Sequence, residues 1–478
     1  MKIRSLFLGA LVIGSLISCS KDDDGPDTPV YQQIDTYLSI STTANSGTIT
    51  KGTVEPGKSE IGDVKERKIH TLTAVVFYDD EVGALAAIKK VTDPEQNDLG
   101  ETSIEDVVVK VAATEAGQVS DTKLKIFLLA NVTVPADKVK DYRTFIGSSF
   151  SGIADCSFSG VMADEQEKYI PMSSSKLNVT KLIAGTSYNN WVETSGETPI
   201  YTSNKTSGNE KKLIEQSGKY VEGTEVYTVG KRISLVRYVA RVQLESLNVD
   251  FGNNYENAVF TLTNVSAANV SNASLYYAEN EGSLQSVDYT SSAAFLRGYP
   301  VEIDRADYYL ARGSYDGDTF SKVYGTINGD GSVSNGISLS MKGMQSIQFD
   351  DQTTDDSEGT SPMAQFYVFE FNHISTTPDE GGVEMPSTAT PNINTMLIIT
   401  GLWDNGPIKE ERSFRIPIRH SNDSEDYQVK RNYIYKVHAT LTGEGTNNPD
   451  KSMLNACISF SVQVKPWKVI KQTETDVN

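Results

Sequence analysis

The sequence predicts a mainly β fold of the sandwich type, and three observations carry that prediction. First, short segments in which apolar and polar residues alternate with a period of two recur along the chain. Second, Gly, Ser and Asp residues separate these segments and helical spacing is clear only once, which favours a sandwich over a βαβ fold. Third, 478 residues are too many for one small core, so we expect two domains.

The first residues have the layout of a secretory signal. A basic start, with Lys2 and Arg4, precedes an apolar run over residues 6–17 that is too short to cross a bilayer as a permanent helix. Cys19 follows Leu-Ile-Ser and precedes an acidic run at residues 22–24, an arrangement typical of the lipobox of bacterial lipoproteins. We therefore expect an exported, outer-membrane lipoprotein precursor on the cell surface, lipidated at Cys19. The alternative is an ordinary signal peptide with a chance cysteine.

The charge balance argues against nucleic acid as a partner. The chain carries 43 basic and 63 acidic residues, a net charge of −20. Removal of residues 1–18 takes away two basic residues, which leaves 41 against 63, or −22. A surface this negative repels phosphate backbones and anionic lipid head groups.

Elements of the predicted first domain follow a tether at residues 20–34, which is rich in Asp, Gly and Pro. We expect strands at residues 37–50, 69–78, 107–113, 124–131, 169–179 and 233–247. The strand at 69–78 is apolar on both faces, as in a central strand. Helical spacing over residues 135–146 predicts one helix, with Pro135 at its first position. In 233–247, Tyr238 falls on the apolar face and Arg237 on the other.

The second half of the chain reads as almost entirely β. We expect strands at residues 259–265, 366–371, 396–403, 414–418, 433–441 and 454–464. Pro417 lacks an N–H, so we place 414–418 at the edge of its sheet. The alternation in 454–464 puts Cys457 on the polar side of its strand. A disulfide between Cys457 and Cys156 is open, although the two lie far apart in sequence.

The sequence shows no clear catalytic or metal-binding pattern. The four histidines share no metal-ligand spacing with each other or with a cysteine. Residues 328–331 (Asn-Gly-Asp-Gly) lack the spaced acidic ligands of a calcium loop and predict a tight turn. We expect no cofactor, no metal and no enzymatic activity.

Taken in order, a string of short motifs resembles the fimbrillins, the subunits of type V pili of Bacteroidales. Each motif is weak alone, and the order makes the set specific. The motifs are Cys19 in its lipobox, 37–40 (YLSI), 72–77 (LTAVVF), 127–132 (FLLANV), 170–173 (IPMS), 235–242 (LVRYVARV), 366–372 (FYVFEFN), 431–435 (RNYIY) and 464–467 (VKPW). The ending is closest to the branch of the main shaft subunit of the minor fimbrium.

The resemblance implies two transthyretin-like, Greek-key β-sandwich domains, with a short helix in the first. It divides the chain into a signal peptide (1–18), a lipid tether with a removable first strand (19–55), an N-terminal domain (56–248) and a C-terminal domain with a donor tail (249–478). In this family a protease removes the first strand, and the C-terminal extension of a neighbouring subunit fills the groove. The implied partners are further copies of the chain, related fimbrial subunits, the outer membrane through the lipid before processing, and an unidentified surface ligand.

The processing site departs from the family pattern. Where the family has Arg before a small residue, this chain has Lys51-Gly52, and the next arginine downstream is Arg67. We favour processing at Lys51 over Arg67, because Arg67 is set against the first core strand. The alternative is that Lys51 is an ordinary loop lysine and that no processing occurs.

The C-terminal tail from residue 468 is the candidate donor strand. Val469, Ile470 and Val477 are its apolar residues, and threonines lie between them. Trp467 is a plausible anchor just before it. A frayed terminus would show the same polarity.

The sequence leaves three functional classes to compare. The first is a polymerising shaft subunit. The second is a pilus tip or anchor lipoprotein, or a ligand-binding adhesin, that donates no strand. The third is a surface enzyme, which no residue pattern supports. A donor segment at the C-terminus favours the first.

Overall fold

The computed structural model describes part of the chain, and all statements below refer to that part. The described residues are 30–43, 60–61, 69–92, 101–116, 118–151, 169–174, 176–179, 182–185, 191–192, 200–201, 214–215, 228–229, 233–277, 295–300, 310, 314–342, 347–348, 364–371, 374–375, 392–420, 428–447 and 457–468.

Strands dominate both halves of the chain. Up to Arg237 they are β1 (Gln32–Thr43), β2 (Glu60–Ile61), β3 (Thr71–Tyr78), β4 (Leu85–Thr92), β5 (Glu101–Ala113), β6 (Val119–Ser120), β7 (Leu124–Ala130), β8 (Ser149–Ser151), β9 (Met172–Ser174), β10 (Leu177–Val179), β11 (Leu182–Ile183), β12 (Trp191–Val192), β13 (Ile200–Tyr201), β14 (Ile214–Glu215), β15 (Thr228–Val229) and β16 (Ile233–Arg237). After it they are β17 (Val239–Val249), β18 (Val259–Ala268), β19 (Val270–Ser271), β20 (Ala273–Leu275), β21 (Phe295–Arg297), β22 (Ser314–Tyr315), β23 (Ser321–Val323), β24 (Gly325–Ile327), β25 (Val333–Asn335), β26 (Ile337–Ser340), β27 (Ile347–Gln348), β28 (Ala364–Phe369), β29 (Ile374–Ser375), β30 (Asn392–Ile393), β31 (Met396–Asp404), β32 (Lys409–Pro417), β33 (Tyr433–Leu441) and β34 (Ile458–Lys468). The predicted mainly β fold is confirmed.

The predicted helix over residues 135–146 is interrupted. A 3₁₀ helix spans Ala136–Val139 and a short α-helix, α1, spans Tyr142–Ile146. Between them Asp141 is extended (φ −150°, ψ 165°), and its carboxylate accepts a hydrogen bond from the Thr144 N–H at 2.8 Å. Hydrogen bonds from Thr144 lower the pKa of Asp141. An N-cap residue starts a new helix, so one continuous helix was the wrong prediction. Pro135 is the residue before the 3₁₀ helix and not its first residue.

Two shorter helices of the second half lie beside strands. The 3₁₀ helix Asn253–Tyr255 follows β17, and α2 (Gly317–Phe320) precedes β23. Asp316 caps α2 by accepting a hydrogen bond from the Thr319 N–H at 3.2 Å.

The first half forms one eight-stranded sheet in the order β4-β3-β7-β9-β16-β1-β5, and β10 also pairs with β7. Its central strands are buried on both faces. In β3, Leu72 and Val76 belong to a smaller core within this half, whereas Val75 and Phe77 face a larger core shared with the second half. The predicted central position of this strand is therefore confirmed, because a side chain on either face meets a core.

The second half contains two principal sheets around the larger core. One has the order β2-β34-β33-β17-β27, with β28 also on β17, and the other has the order β23-β18-β31-β32, with β26 also on β18. Both sheets contribute buried side chains, such as Val437 and Ile399, to the larger core, as in a β-sandwich. β32 ends its sheet, so the predicted edge position of the strand containing Pro417 is confirmed.

The strand predicted over residues 233–247 is two strands in different sheets. β16 ends at Arg237 in the first sheet, and β17 begins at Val239 in a sheet of the second half. Tyr238 lies between them, fully buried, and its N–H donates to the Pro171 carbonyl at 3.0 Å. The predicted boundary at 248/249 stays a prediction, whereas sheet membership changes earlier, at Tyr238.

Arg237 does not face solvent as an alternating pattern suggests. It is fully buried, and its Nη1 donates to the Asn432 Oδ1 at 3.3 Å. The reason is its place at the junction, where a second element covers the face that one isolated sheet would expose.

Aromatic rings join the two halves. Phe150 of β8 lies in edge contact with Tyr238 and with Phe369 of β28, at ring-centroid distances of 4.9 and 5.5 Å. The Tyr238 hydroxyl donates to the Tyr276 carbonyl at 2.6 Å, and the Tyr276 hydroxyl donates to the Thr133 carbonyl at 3.0 Å. β8 also pairs with β20 of the second half. The described residues of the two halves therefore share one buried contact region.

The last strand lies further along the chain than predicted. β34 begins at Ile458 and continues through Pro466 to Lys468, antiparallel to β33. Cys457 precedes it as a half-buried free thiol against the larger core, so its predicted polar-face position is wrong. The close approach of Gly443 to its sulfur explains the burial. Cys156 lies outside the described residues.

Candidate strand-exchange site

β1 is hydrogen-bonded mainly along one side. It pairs antiparallel with β5 from Gln32↔Ala113 to Thr43↔Glu101, with one irregularity between Leu38 and Ile40. On its other side only Thr42 and Thr43 pair, parallel to the start of β16. β1 also begins earlier than expected, because Gln32 belongs to the region predicted as tether. Pairing with β5 extends the strand into that polar sequence.

One face of β1 is buried in the smaller core. Thr36 and Leu38 have no exposed surface, Ile40 is 1% exposed, and Ile34 is half-buried. Across from them the β5 side chains Ile104, Val107, Val109 and Val111 are buried in the same core. We call the surface that β1 covers, formed by β5, the start of β16 and Gly185, the β1 groove.

A single polar side chain, Thr36, interrupts this apolar row. The Gly185 N–H donates to its hydroxyl oxygen at 3.0 Å, and the hydroxyl donates to the Ile34 carbonyl at 3.3 Å. Gly185 has φ +87°, and a Cβ there would lie 2.8 Å from the Ala116 Cβ. The backbone of the groove therefore comes close to β1 at this point and presents an N–H to position 36.

Weaker polar contacts line the exposed side of β1. The Lys110 ammonium donates to the Asp35 carboxylate at 3.0 Å, and both side chains are more than half exposed. The Gln32 side-chain amide donates to the Thr114 carbonyl at 3.0 Å. Exposed pairs of this kind contribute little to stability and serve mainly to define the register.

The chain after β1 returns to the C-terminal strand. β2 pairs parallel with the end of β34, Glu60 opposite Trp467 and Ile61 opposite Lys468. The next described residue, Ile69, is buried, and the N–H groups of His70 and Thr71 donate to the Asn131 side chain at 2.7 and 3.2 Å. β3 is therefore anchored directly after the segment that contains Arg67.

The residues predicted to be lipidated or cut, and the apolar residues of the predicted donor, lie outside the described part of the chain. Cys19, Lys51, Arg67, Val469, Ile470 and Val477 all lie outside it. In sequence, Lys51 lies between β1 and β2, and Arg67 lies between β2 and β3. Trp467 is described through its backbone in β34. Lys468, predicted to open the donor tail, belongs to β34.

Two residues of the site were missed from the sequence. Thr36 shares the face of Leu38 in the period-two pattern, so a buried polar position could have been found there. The role of Gly185 could not, because its partner lies far away in the chain.

Within the described ranges, no group of three or more His, Cys, Asp or Glu side chains is placed to hold a metal ion. In the same residues no helix is long and apolar enough to span a bilayer.

A protein-family model matches the part of the chain that contains this site. The family model described as "Major fimbrial subunit protein (FimA)" matches residues 36–237, which run from β1 to the last residue of β16. Residues 36–237 are therefore similar to the FimA-like fimbrillins. That family consists of fimbrial structural proteins and not enzymes, which agrees with the prediction.

Solved structures resemble this chain over nearly its whole length. A candidate cell adhesion protein from Parabacteroides distasonis is 17% identical with a TM-score of 0.52, covering 91% of this chain and 100% of its own. A second from the same species is 16% identical with a TM-score of 0.50, covering 91% and 98%. A fimbrilin, FimA, from Porphyromonas gingivalis is 14% identical with a TM-score of 0.49, covering 91% and 98%. The first two share the fold of this chain, which is mainly β with several sheets that are consistent with two β-sandwich domains. No curated protein matches the sequence.

Proposed function

We propose that this chain is a shaft subunit of a cell-surface fimbria, close to the minor-fimbrium branch, which polymerises when a protease releases β1. It would reach the surface as a lipoprotein anchored through Cys19. The fimbrillin match of residues 36–237 supports the fimbrial part of the proposal. The attachment of β1 supports the mechanism.

The observation that carries the mechanism is the one-sided pairing of β1. Because β1 pairs with β5 along its length and with β16 by two residues only, its loss leaves the sheet of β3, β7, β9 and β16 paired. β5, which ends the sheet and pairs with β1, then loses this pairing and exposes an open row of apolar side chains. Such a groove is a template for a strand from another molecule.

Processing must occur between β1 and β3, where both candidate basic residues lie. Cleavage after Lys51 would leave β2 attached to β3, whereas cleavage after Arg67 would remove β2 together with β1. The hydrogen bonds of His70 and Thr71 to Asn131 hold the start of β3 in either case. We favour Lys51.

Limited trypsin digestion of the exported full-length chain tests the processing step. We expect a stable core whose N-terminal sequence begins at Gly52 or Lys68. Lys51→Gln and Arg67→Gln variants identify which bond matters. A core that began within residues 80–250 would contradict the proposal, because β3 would then be lost.

The shaft role is tested in a bacterial strain that carries this fimbrial gene alone. Electron microscopy should show fibres on the wild-type strain. Deletion of residues 469–478 should abolish SDS-resistant ladders while leaving a folded, processed monomer at the surface. Ladders that survive the deletion would indicate a frayed tail, and absence of fibres in the wild-type strain would favour a tip, anchor or adhesin role.

A further inference from the structure

We propose that residues 469–478 of one copy occupy the β1 groove of the next copy in the direction and register of β1, with Thr475 in the place of Thr36. This inference rests on the proposed function, since it requires strand exchange between copies. To that function it adds which tail residue takes which position of β1, and it names Thr475 as the residue that defines this register.

The sequence of the tail corresponds, residue for residue, to the start of β1. Residues 30–39 read Val-Tyr-Gln-Gln-Ile-Asp-Thr-Tyr-Leu-Ser and residues 469–478 read Val-Ile-Lys-Gln-Thr-Glu-Thr-Asp-Val-Asn. Val, Gln and Thr are identical in this alignment, Asp35 corresponds to Glu474, and Leu38 corresponds to Val477. The polarity that makes the tail a poor core strand is thus also the polarity of the strand it would replace.

The buried threonine determines the register. In the β1 groove, position 36 faces the Gly185 N–H, which donates to a hydroxyl oxygen at 3.0 Å. With Thr475 in that position, Thr473 falls on the half-buried position of Ile34. The register that instead places Thr473 at position 36 brings the Lys471 ammonium to the position of Ile34, where a charge loses solvation.

The exposed side of β1 agrees with the same register. Asp35 pairs with Lys110 in β5, both in the strand register and as an ion pair of 3.0 Å. Glu474 would place its carboxylate at the position of Asp35, within reach of the Lys110 of the receiving copy. The register that places Thr473 at position 36 brings the uncharged Gln472 to the position of Asp35 and loses this charge match.

The three apolar tail residues are then not equivalent. Val469 and Ile470 correspond to Val30 and Tyr31, which are 83% and 66% exposed beside the groove. Val477 corresponds to Leu38, which has no exposed surface. Val477 is therefore the apolar anchor of the donor.

The tail is a weaker ligand for the groove than β1. Val477 is smaller than Leu38, and Asp476 replaces Tyr37, which is half-buried. The uncut chain therefore keeps β1 in the groove, and exchange becomes favourable only after β1 is cut and diluted away.

Cysteine cross-linking in the chain processed at the cell surface tests the register. With Glu474→Cys and Lys110→Cys in one chain, mild oxidation should give a disulfide between copies in the ladder. The matched control, Glu474→Cys with Val108→Cys, should give none, because Val108 lies opposite Tyr37 in the β1 register. A disulfide in the control pair only, or within one monomer, would overturn the inference.

Removal of the Thr475 hydroxyl tests whether this residue defines the register. Thr475→Val should slow ladder formation about tenfold, the usual loss for one buried hydrogen bond. Thr473→Val should leave the rate unchanged, because position 34 already holds a β-branched apolar residue. Equal rates for the two variants would contradict the proposed role of Thr475.

A failure of strand exchange and a failure of the register give different results. If the wild-type chain forms no ladder after processing, strand exchange itself is wrong. If ladders form without the cross-link between positions 474 and 110, exchange stands and the register is wrong.

Discussion

At the scale of single residues, the polar groups inside the cores carry the most information. Thr36 is the buried polar position of β1, where its hydroxyl joins the strand to Gly185. At the junction of the halves, the Arg431 guanidinium forms two hydrogen bonds to the buried Glu370 carboxylate, one of 2.7 Å. Its charged plane also lies 4.9 Å from the centre of the Tyr238 ring.

Replacement of Thr36 by Val should weaken β1 without changing the shape of its side chain. We expect the full-length chain to lose about 1–3 kcal/mol of unfolding free energy, because the Gly185 N–H loses its hydrogen bond to position 36. Urea denaturation measures the loss. Thr92→Val, at an exposed strand position, is the matched control and should change stability by less than about 0.5 kcal/mol. Equal losses in the two variants would exclude a specific role for Thr36.

Removal of one partner of the Arg431–Glu370 pair should be costly. Burial alone would lower the pKa of Arg431, but the charge and hydrogen bond of Glu370 raise it, so the pKa of the guanidinium stands above its usual value. Arg431→Met should cost about 3–5 kcal/mol, because it leaves a buried carboxylate uncompensated. The double variant Arg431→Met with Glu370→Leu should recover much of that loss in denaturation measurements. Additive losses would show that the two residues act independently.

At the scale of elements, β1 differs from its neighbours in how it is held. β3 and β7 pair on both sides and bury both faces, whereas β1 pairs fully on one side and buries one face. Release of Leu38 and Ile40 from the core costs roughly 3–6 kcal/mol of apolar burial. A β1 peptide that has been cut from the chain therefore dissociates far more readily than β1 that is still joined to it.

A disulfide lock on β1 should stop assembly reversibly. Asp35 and Lys110 are opposite each other, so Asp35→Cys with Lys110→Cys should join β1 to β5 under oxidation. After the processing cut, the oxidised variant should form no ladder, because β1 still fills the groove. Reduction should restore assembly, as followed by SDS gels. Each single-cysteine variant should assemble under both conditions, and ladder formation by the locked variant would exclude β1 as the released strand.

At the scale of the whole molecule, the two halves are joined by more than a linker. The larger core contains side chains of both, including Phe77 and Phe127 of the first sheet and Phe366 of the second half. β2, near the N-terminus, pairs with β34, near the C-terminus. The first sheet and the C-terminal strand β34 therefore belong to one connected structure.

Surface anchoring before processing depends on Cys19. Cys19→Ala should abolish incorporation of labelled palmitate and release the precursor from the membrane fraction, because the thiol is the proposed point of lipid attachment. Cys457→Ser, which changes a free thiol elsewhere, should label as the wild type does. Undiminished labelling of Cys19→Ala would contradict the lipobox assignment.

Local sequence pattern predicted much of the fold. Local apolar patterns correctly placed the strands around residues 69–78, 124–131 and 433–441. The same short motifs carried the fimbrillin resemblance, which implies a removable first strand. These features depend on near neighbours in the chain, which sequence pattern reports directly.

Tertiary structure alone decided the rest. The break at Tyr238, the burial of Arg237 and the half-buried Cys457 follow from which element covers a strand, and that element lies far away in the chain. Gly185 meets Thr36 only because the sheet closes over a long sequence separation. Burial and hydrogen bonding at these positions are properties of two surfaces in contact, so neither segment encodes them by itself.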